Sequence, residues 1–195
     1  NDHRLGGNEA PPAIVSMFLG EGLNSVIDSI INDTKLTNQK KTRFQTGVSV
    51  IPDFSKDTTD RNRTSPFAYT GNKFEFRGVG SSQSIANVNT ILNAILAIEM
   101  KEMSQKLESG IPLKDILKEY FANHKRIIFE GDGYSLSWQE EAKRRGLPNR
   151  TNTVDSIEVL KNKDLINKLI DIGVYSEVEL NSRYDILLEN YIKTI

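Results

Sequence analysis

The segment Lys73-Phe74-Glu75-Phe76-Arg77 holds the residues of this sequence best suited to chemistry. In an extended strand alternate side chains share a face, so Lys73, Glu75 and Arg77 line up at ~6.5 Å intervals, and Phe74 and Phe76 are expected to point into a core. Two cations around one carboxylate could hold a phosphate or carboxylate ligand, with Glu75 ligating a hard divalent ion such as Mg²⁺. An antiparallel strand with a solvated charged face gives the same pattern, and on pattern alone that plainer reading is favoured.

Two neighbouring stretches raise the chemical reading. Asp60-Arg61-Asn62-Arg63-Thr64-Ser65-Pro66 is a polar loop with two arginines that leads into the strand within ten residues, and the planar guanidinium fork suits phosphoryl oxygens. Near the start, Arg4 and Glu9 flank Gly6-Gly7, a pair that lets the backbone close tightly around a ligand. Taken alone, each reads more readily as a solvated charged loop. Gly78-Val79-Gly80-Ser81-Ser82-Gln83 resembles half of a dinucleotide fingerprint. Without a third glycine or a βαβ alternation it reads as a tight turn. His124 and Trp138 read as a solvated and a packed helix residue. The sequons at Asn32, Asn62 and Asn149 are taken as chance.

The elements that must position these residues follow from periodicity. Ala13 to Leu19 is a short apolar, β-leaning run closed by Gly20 and Gly22, and Leu23 to Ile31 has helical spacing. A strand is expected at Phe44 to Ile51, a long surface loop from Pro52 to Asn72, and the alternating strand at Lys73 to Arg77. Ile85 to Leu107 reads as a long helix ended by Gly110 and Pro112. Beyond it, helices are expected at Leu113 to Phe129, at Ser137 to Arg145 with a Ser137/Glu140 capping box, at Thr153 to Ile172, and at Val178 to Ile195 behind a Ser176/Glu179 box. A mixed first half before a helical second half predicts an α+β fold.

Composition narrows the function classes. The 195 residues carry 25 basic and 26 acidic side chains, a net charge of −1, so no basic field exists to hold nucleic acid or an anionic membrane. With no cysteine and two histidines there is no disulfide framework, thiolate zinc site or cysteine nucleophile. No apolar run approaches the ~20 residues of a membrane span. The chain opens on Asn1 without a basic and apolar leader and stops on the apolar stripe of its last helix, so the expectation is an excised piece without a signal peptide.

NDHRLGGNEAPP, DRNRTSPFAYTGNKFEFRGVGSSQS and KRIIFEGDGYSLSWQEEAKRRGLPN occur in this order. Together they resemble the C-terminal part of the catalytic region of type III glutamine synthetases, the long bacterial form, and the resemblance runs the length of the chain. It implies a curved, mainly antiparallel sheet with helices, residues 1–110 being part of the catalytic core and 111–195 a helical C-terminal segment of the same region. It also implies ATP-dependent ligation of ammonium to glutamate through γ-glutamyl phosphate, on a pair of Mg²⁺ or Mn²⁺ ions, in a cytoplasmic homo-oligomer of stacked rings.

By matching position, Glu75 would ligate a metal ion, Arg77 would contact the substrate or its phosphorylated form, and Lys73 would lie near the ATP phosphates. Arg63 would contact ATP and stabilise the transferring phosphoryl group, Arg4 would hold a glutamate carboxylate, and Glu9 would accept a proton from ammonium on a flap. Other branches carry a further arginine five residues after the loop arginine, where this chain has Ala68, and their Arg4-to-Glu9 spacing is one residue longer. The remaining metal ligands of the family precede Asn1, so the chain alone is expected to be inactive. A non-catalytic nucleotide-binding or regulatory homologue, and a helical subunit-interaction module at Leu113 to Ile195, remain alternatives.

Overall fold

The computed structural model describes residues 12–35, 43–44, 54–55, 65–78, 80 and 83–194. In chain order the elements are β1 (Met17–Phe18), α1 (Gly20–Ile31), β2 (Arg43–Phe44), β3 (Phe54–Ser55), β4 (Phe67–Tyr69), β5 (Phe74–Phe76), α2 (Ala86–Glu108), α3 (Leu113–His124), α4 (Leu136–Arg144), α5 (Thr153–Ile157), α6 (Lys163–Asp171) and α7 (Glu177–Thr194). Short 3₁₀ turns occupy Lys125–Ile127 and Glu158–Lys161. The fold is α+β, helical with a small mixed sheet. Two compact units divide it, one from Val15–Gly78 and Lys114–Leu147, the other from Asn1–Ile14, Val79–Leu113 and Pro148–Ile195. Among the described residues no helix is long and apolar enough to cross a membrane.

The first unit is built on the sheet β1-β4-β5. β1 runs parallel to β4, with Met17 opposite Phe67 and Phe18 opposite Ala68, and β4 runs antiparallel to β5. On its other side β1 bridges Ile128 in parallel, and Phe129 N–H donates to the Met17 carbonyl at 3.0 Å. β1 and β4, which lie on either side of α1 in the chain, thus pair in parallel. Only Met17–Phe18 of the apolar run Ala13 to Leu19 is strand, because Ile14 N–H closes a turn onto the Pro12 carbonyl. The loop expected from Pro52 to Asn72 contains β3 and β4. Of the strand expected at Phe44 to Ile51, only Phe44 is among the described residues, in β2, paired antiparallel with β3.

Long-range contacts define α1. Its first residue, Gly20, has φ 80°, where a side chain would be strained, and the preceding Leu19 offers no capping group. The Glu130 carboxylate serves instead, accepting from Gly20 N–H at 2.6 Å and from the Asn24 amide. At the other end Asp33 takes the left-handed conformation at φ 54° and pairs with Lys114 and Lys118 on α3.

The helix expected to run from Leu113 to Phe129 stops at His124, since Ile128 turns extended to meet β1. α4 is capped by Ser135, whose Oγ accepts from Trp138 N–H at 3.2 Å. This corrects the expected Ser137 cap: Ser137 lies inside the first turn, and its hydroxyl donates to Ser135 Oγ at 3.1 Å. Trp138 is buried and stacks on Phe129 at 3.7 Å, and the Arg145 guanidinium also lies over its ring. Gly146, at φ 69°, ends the helix, with Gly146 N–H on the Lys143 carbonyl and Leu147 N–H on that of Ala142.

In the second unit α2 covers nearly the whole expected span and ends at Gly110, φ 88°, by the same bond pattern. The single helix expected from Thr153 to Ile172 is three pieces. Asn162 turns extended, and its side chain accepts from Asp164 and Leu165 N–H to start α6 afresh. α7 opens on the reciprocal box expected: Ser176 N–H donates to Glu179 at 2.8 Å and Glu179 N–H to Ser176 Oγ at 3.3 Å. Leu180 of α7 and Ile157 of α5 are buried where these helices pack.

Candidate functional site

β4 and β5 form a hairpin around Gly71-Asn72, with Thr70 N–H donating to the Lys73 carbonyl at 2.9 Å and Gly71 at φ 97°. Pairing outward from that turn sets Tyr69 opposite Phe74, Ala68 opposite Glu75 and Phe67 opposite Phe76. Directly opposed residues share a face of the sheet. One face therefore carries Glu75 beside Ala68, and the other carries four aromatic rings.

On the charged face Lys73 Nζ lies 3.1 Å from Glu75 Oε1, and Arg77 Nη2 lies 3.2 Å from Oε2. Each carboxylate oxygen thus meets a cation. Hydrogen bonds from Lys73 and then from Arg77 lower the Glu75 pKa from its ordinary 4.5, so the group is ionised at neutral pH. Arg77 is the more anchored cation. Its N–H donates to the Pro66 carbonyl at 2.6 Å and its Nη1 reaches toward the Ser65 carbonyl at 3.4 Å, leaving its side chain 19% exposed against 65% for Lys73.

The aromatic face differs from expectation. Phe74 and Phe76 are 47% and 41% exposed, outside any closed core. The rings mainly cover one another: Phe67 stacks on Phe74 at 5.5 Å and contacts Phe76 at 6.4 Å, and Tyr69 meets Phe74 at 5.3 Å.

The structure brings Lys73, Glu75 and Arg77 together. Arg4, Glu9 and Arg63 lie outside the described residues. Sequence reasoning missed Ala68 as the direct partner of Glu75. The signal was present, because a two-residue Gly71-Asn72 turn fixes the register of both arms. Glu75 offers a hard, ionised oxygen donor suited to a divalent ion. Among the described residues no group of three or more potential metal ligands gathers, so Glu75 fits as one ligand of a site, not as a whole one.

A family model described as the glutamine synthetase C-terminal domain matches residues 112–195. The chain is 43% identical over 202 residues to a type-3 glutamine synthetase of Dictyostelium discoideum, covering 100% of this chain and 28% of that protein. It is 42% identical to a glutamine synthetase of Bacteroides fragilis (strain YCH46) over 98% of this chain and 28% of the relative. Against a glutamine synthetase of Butyrivibrio fibrisolvens the identity is 41%, over 100% of this chain and again 28% of the relative. Over nearly its whole length the chain is thus similar to glutamine synthetases, one of them of type 3, and it spans 28% of the length of these relatives.

Proposed function

We propose that this chain supplies part of the active site of an ATP-dependent glutamate–ammonia ligase, with Glu75 as a metal-ligating carboxylate. The observation that carries the reading is the Glu75 carboxylate held between Lys73 and Arg77, within the motif shared in order with the family. Mg²⁺ or Mn²⁺ bound with Glu75 would offset charge on phosphoryl oxygens. Lys73, the more exposed cation, is assigned to the ATP phosphates. Arg77, anchored by its backbone and half sequestered, is suited to holding a carboxylate or phosphorylated substrate in one orientation.

Arg63 is assigned to ATP and the transferring phosphoryl group, Arg4 to a glutamate carboxylate, and Glu9 to taking a proton from ammonium while its loop keeps water from an acyl phosphate. The same reading assigns residues 1–110 to the catalytic core and 111–195 to a helical segment of the same region. It also makes the complete enzyme a cytoplasmic homo-oligomer of stacked rings.

The test is Glu75→Gln in the synthetase that contains this chain, assayed for glutamine formation against metal concentration. A loss of about a hundredfold or more in turnover is expected, and unchanged kinetics would remove Glu75 from the site. ATP binding with no turnover in the unmutated protein would favour the non-catalytic homologue. The 195-residue chain by itself is expected to show no γ-glutamyl transfer, because Glu75 is one ligand of a larger donor set. Transfer by the purified chain would overturn that.

A further inference from the structure

The motif around residues 125–149 is not used by the proposed chemistry, yet it lines a cleft of about 460 Å³ with α1. Asn24 and Asp28 come from α1, Lys125, Arg126 and Glu130 from the segment after α3, and Arg144 and Arg145 from the end of α4. Most of these charges are matched. Lys125 pairs with Asp28 at 2.6 Å, and Arg144 and Arg145 share Glu141 at 2.7 and 2.6 Å.

Of the charged groups lining the cleft, Arg126 and Glu130 are the two with no ion-pair partner among the described residues. Arg126 uses only Nη1, which donates to the Arg145 and Gly146 carbonyls at 3.2 and 3.1 Å. Among the described residues its Nε and Nη2 carry no hydrogen bond or ion pair, and these two N–H groups form the edge that grips a carboxylate in parallel. Glu130 accepts both of its bonds, from Gly20 N–H and the Asn24 amide, on Oε1, leaving Oε2 without a partner among the described residues. A guanidinium and a carboxylate, each with an unused hydrogen-bonding group, therefore line one cleft.

We propose that this cleft binds the zwitterionic head group of a free α-amino acid, its carboxylate on the Arg126 Nε/Nη2 edge and its ammonium on Glu130. A phosphate or simple carboxylate would gain Arg126 but also meet the negative charge of Glu130 and Asp28. An amine would gain Glu130 but meet four cations. Only a ligand carrying both charges satisfies both groups, and Arg126 is already oriented by its bonds to the end of α4, so little freedom is lost on binding.

The experiment is calorimetric titration of the 195-residue chain with glycine, acetate and ethylamine. Glycine is expected to bind at one site in the millimolar range, with acetate and ethylamine at least about tenfold weaker. Arg126→Lys, which keeps the charge and loses the fork, should weaken glycine and acetate alike by about tenfold. Glu130→Gln, which keeps the Oε1 acceptor that caps α1, should weaken glycine and strengthen acetate, since the carboxylate that repels acetate is gone. Cooperative thermal unfolding of each variant checks its fold, and either variant suffices. Acetate binding as tightly as glycine, equal glycine affinity in the variants, or no glycine binding up to on the order of 100 mM would overturn the proposal.

Discussion

Carboxylates held between two cations contribute to how this chain responds to acid. The Asp33 carboxyl is lowered from 3.8 to about 2 by hydrogen bonds from Lys114 and Lys118, and the Glu141 carboxyl from 4.5 to about 2 by Arg144 and Arg145. Both folded values lie below the unfolded ones, so the ionised forms favour folding. Their contribution is complete above about pH 4.5 and is lost as pH falls toward about 2. Asp33→Asn should flatten that part of the profile, since asparagine keeps the left-handed backbone and removes only the charge. Urea midpoints measured from pH 5 to 2 test this, and an Asp33→Asn variant as acid-sensitive as the parent would refute it. The pairs are solvent-exposed, so molar salt should shrink the difference. At the same scale, Lys73, Glu75 and Arg77 were legible because a strand's period of two needs no tertiary information. The exposure of Phe74 and Phe76 was not, because whether an apolar face is covered depends on what packs over it.

At the scale of elements, helices were legible and most strands were not, for one physical reason. α2 repeats its apolar spacing over 23 residues, enough for a 3.6 period to stand out, whereas β1 to β4 are two or three residues long and have no period to read; β5 is as short, but the alternation continues through Lys73 and Arg77 on its flanks. β4 was hidden in a polar stretch because its register comes from the turn at Gly71-Asn72. Helix starts were misplaced by two residues or merged where the deciding cap was one polar side chain among several, as at Ser135 and Asn162. The caps carry a direct prediction. Ser135→Ala should cost about 1 kcal/mol by leaving Trp138 N–H without its side-chain acceptor, and Ser137→Ala should cost almost nothing. Urea denaturation of the two variants distinguishes them, and equal losses would return the cap to Ser137.

At the scale of the molecule, each compact unit is assembled from stretches far apart in sequence, so a division of the chain after Gly110 would cut through both. α1 makes the consequence measurable. Its twelve residues begin without a capping side chain of their own, and a helix of that length is marginal without tertiary support. That support comes from beyond residue 110: Glu130 at Gly20 and Asn24, Lys125 at Asp28, and Lys114 and Lys118 at Asp33. Phe129 similarly closes the open side of β1 through the Met17 carbonyl. In residues 1–110 expressed alone, amide hydrogens of α1 should therefore exchange nearly as fast as in an unfolded peptide, while in the 195-residue chain they are protected. Residues 111–195 alone should keep protection in α7, whose buried Leu180 packs with α5 inside the same piece. Equal protection of α1 in the truncated and complete chains would mean that the N-terminal stretch supplies its own cap. The contacts from Glu130 and the α3 lysines would then be consequences of folding instead of conditions for it.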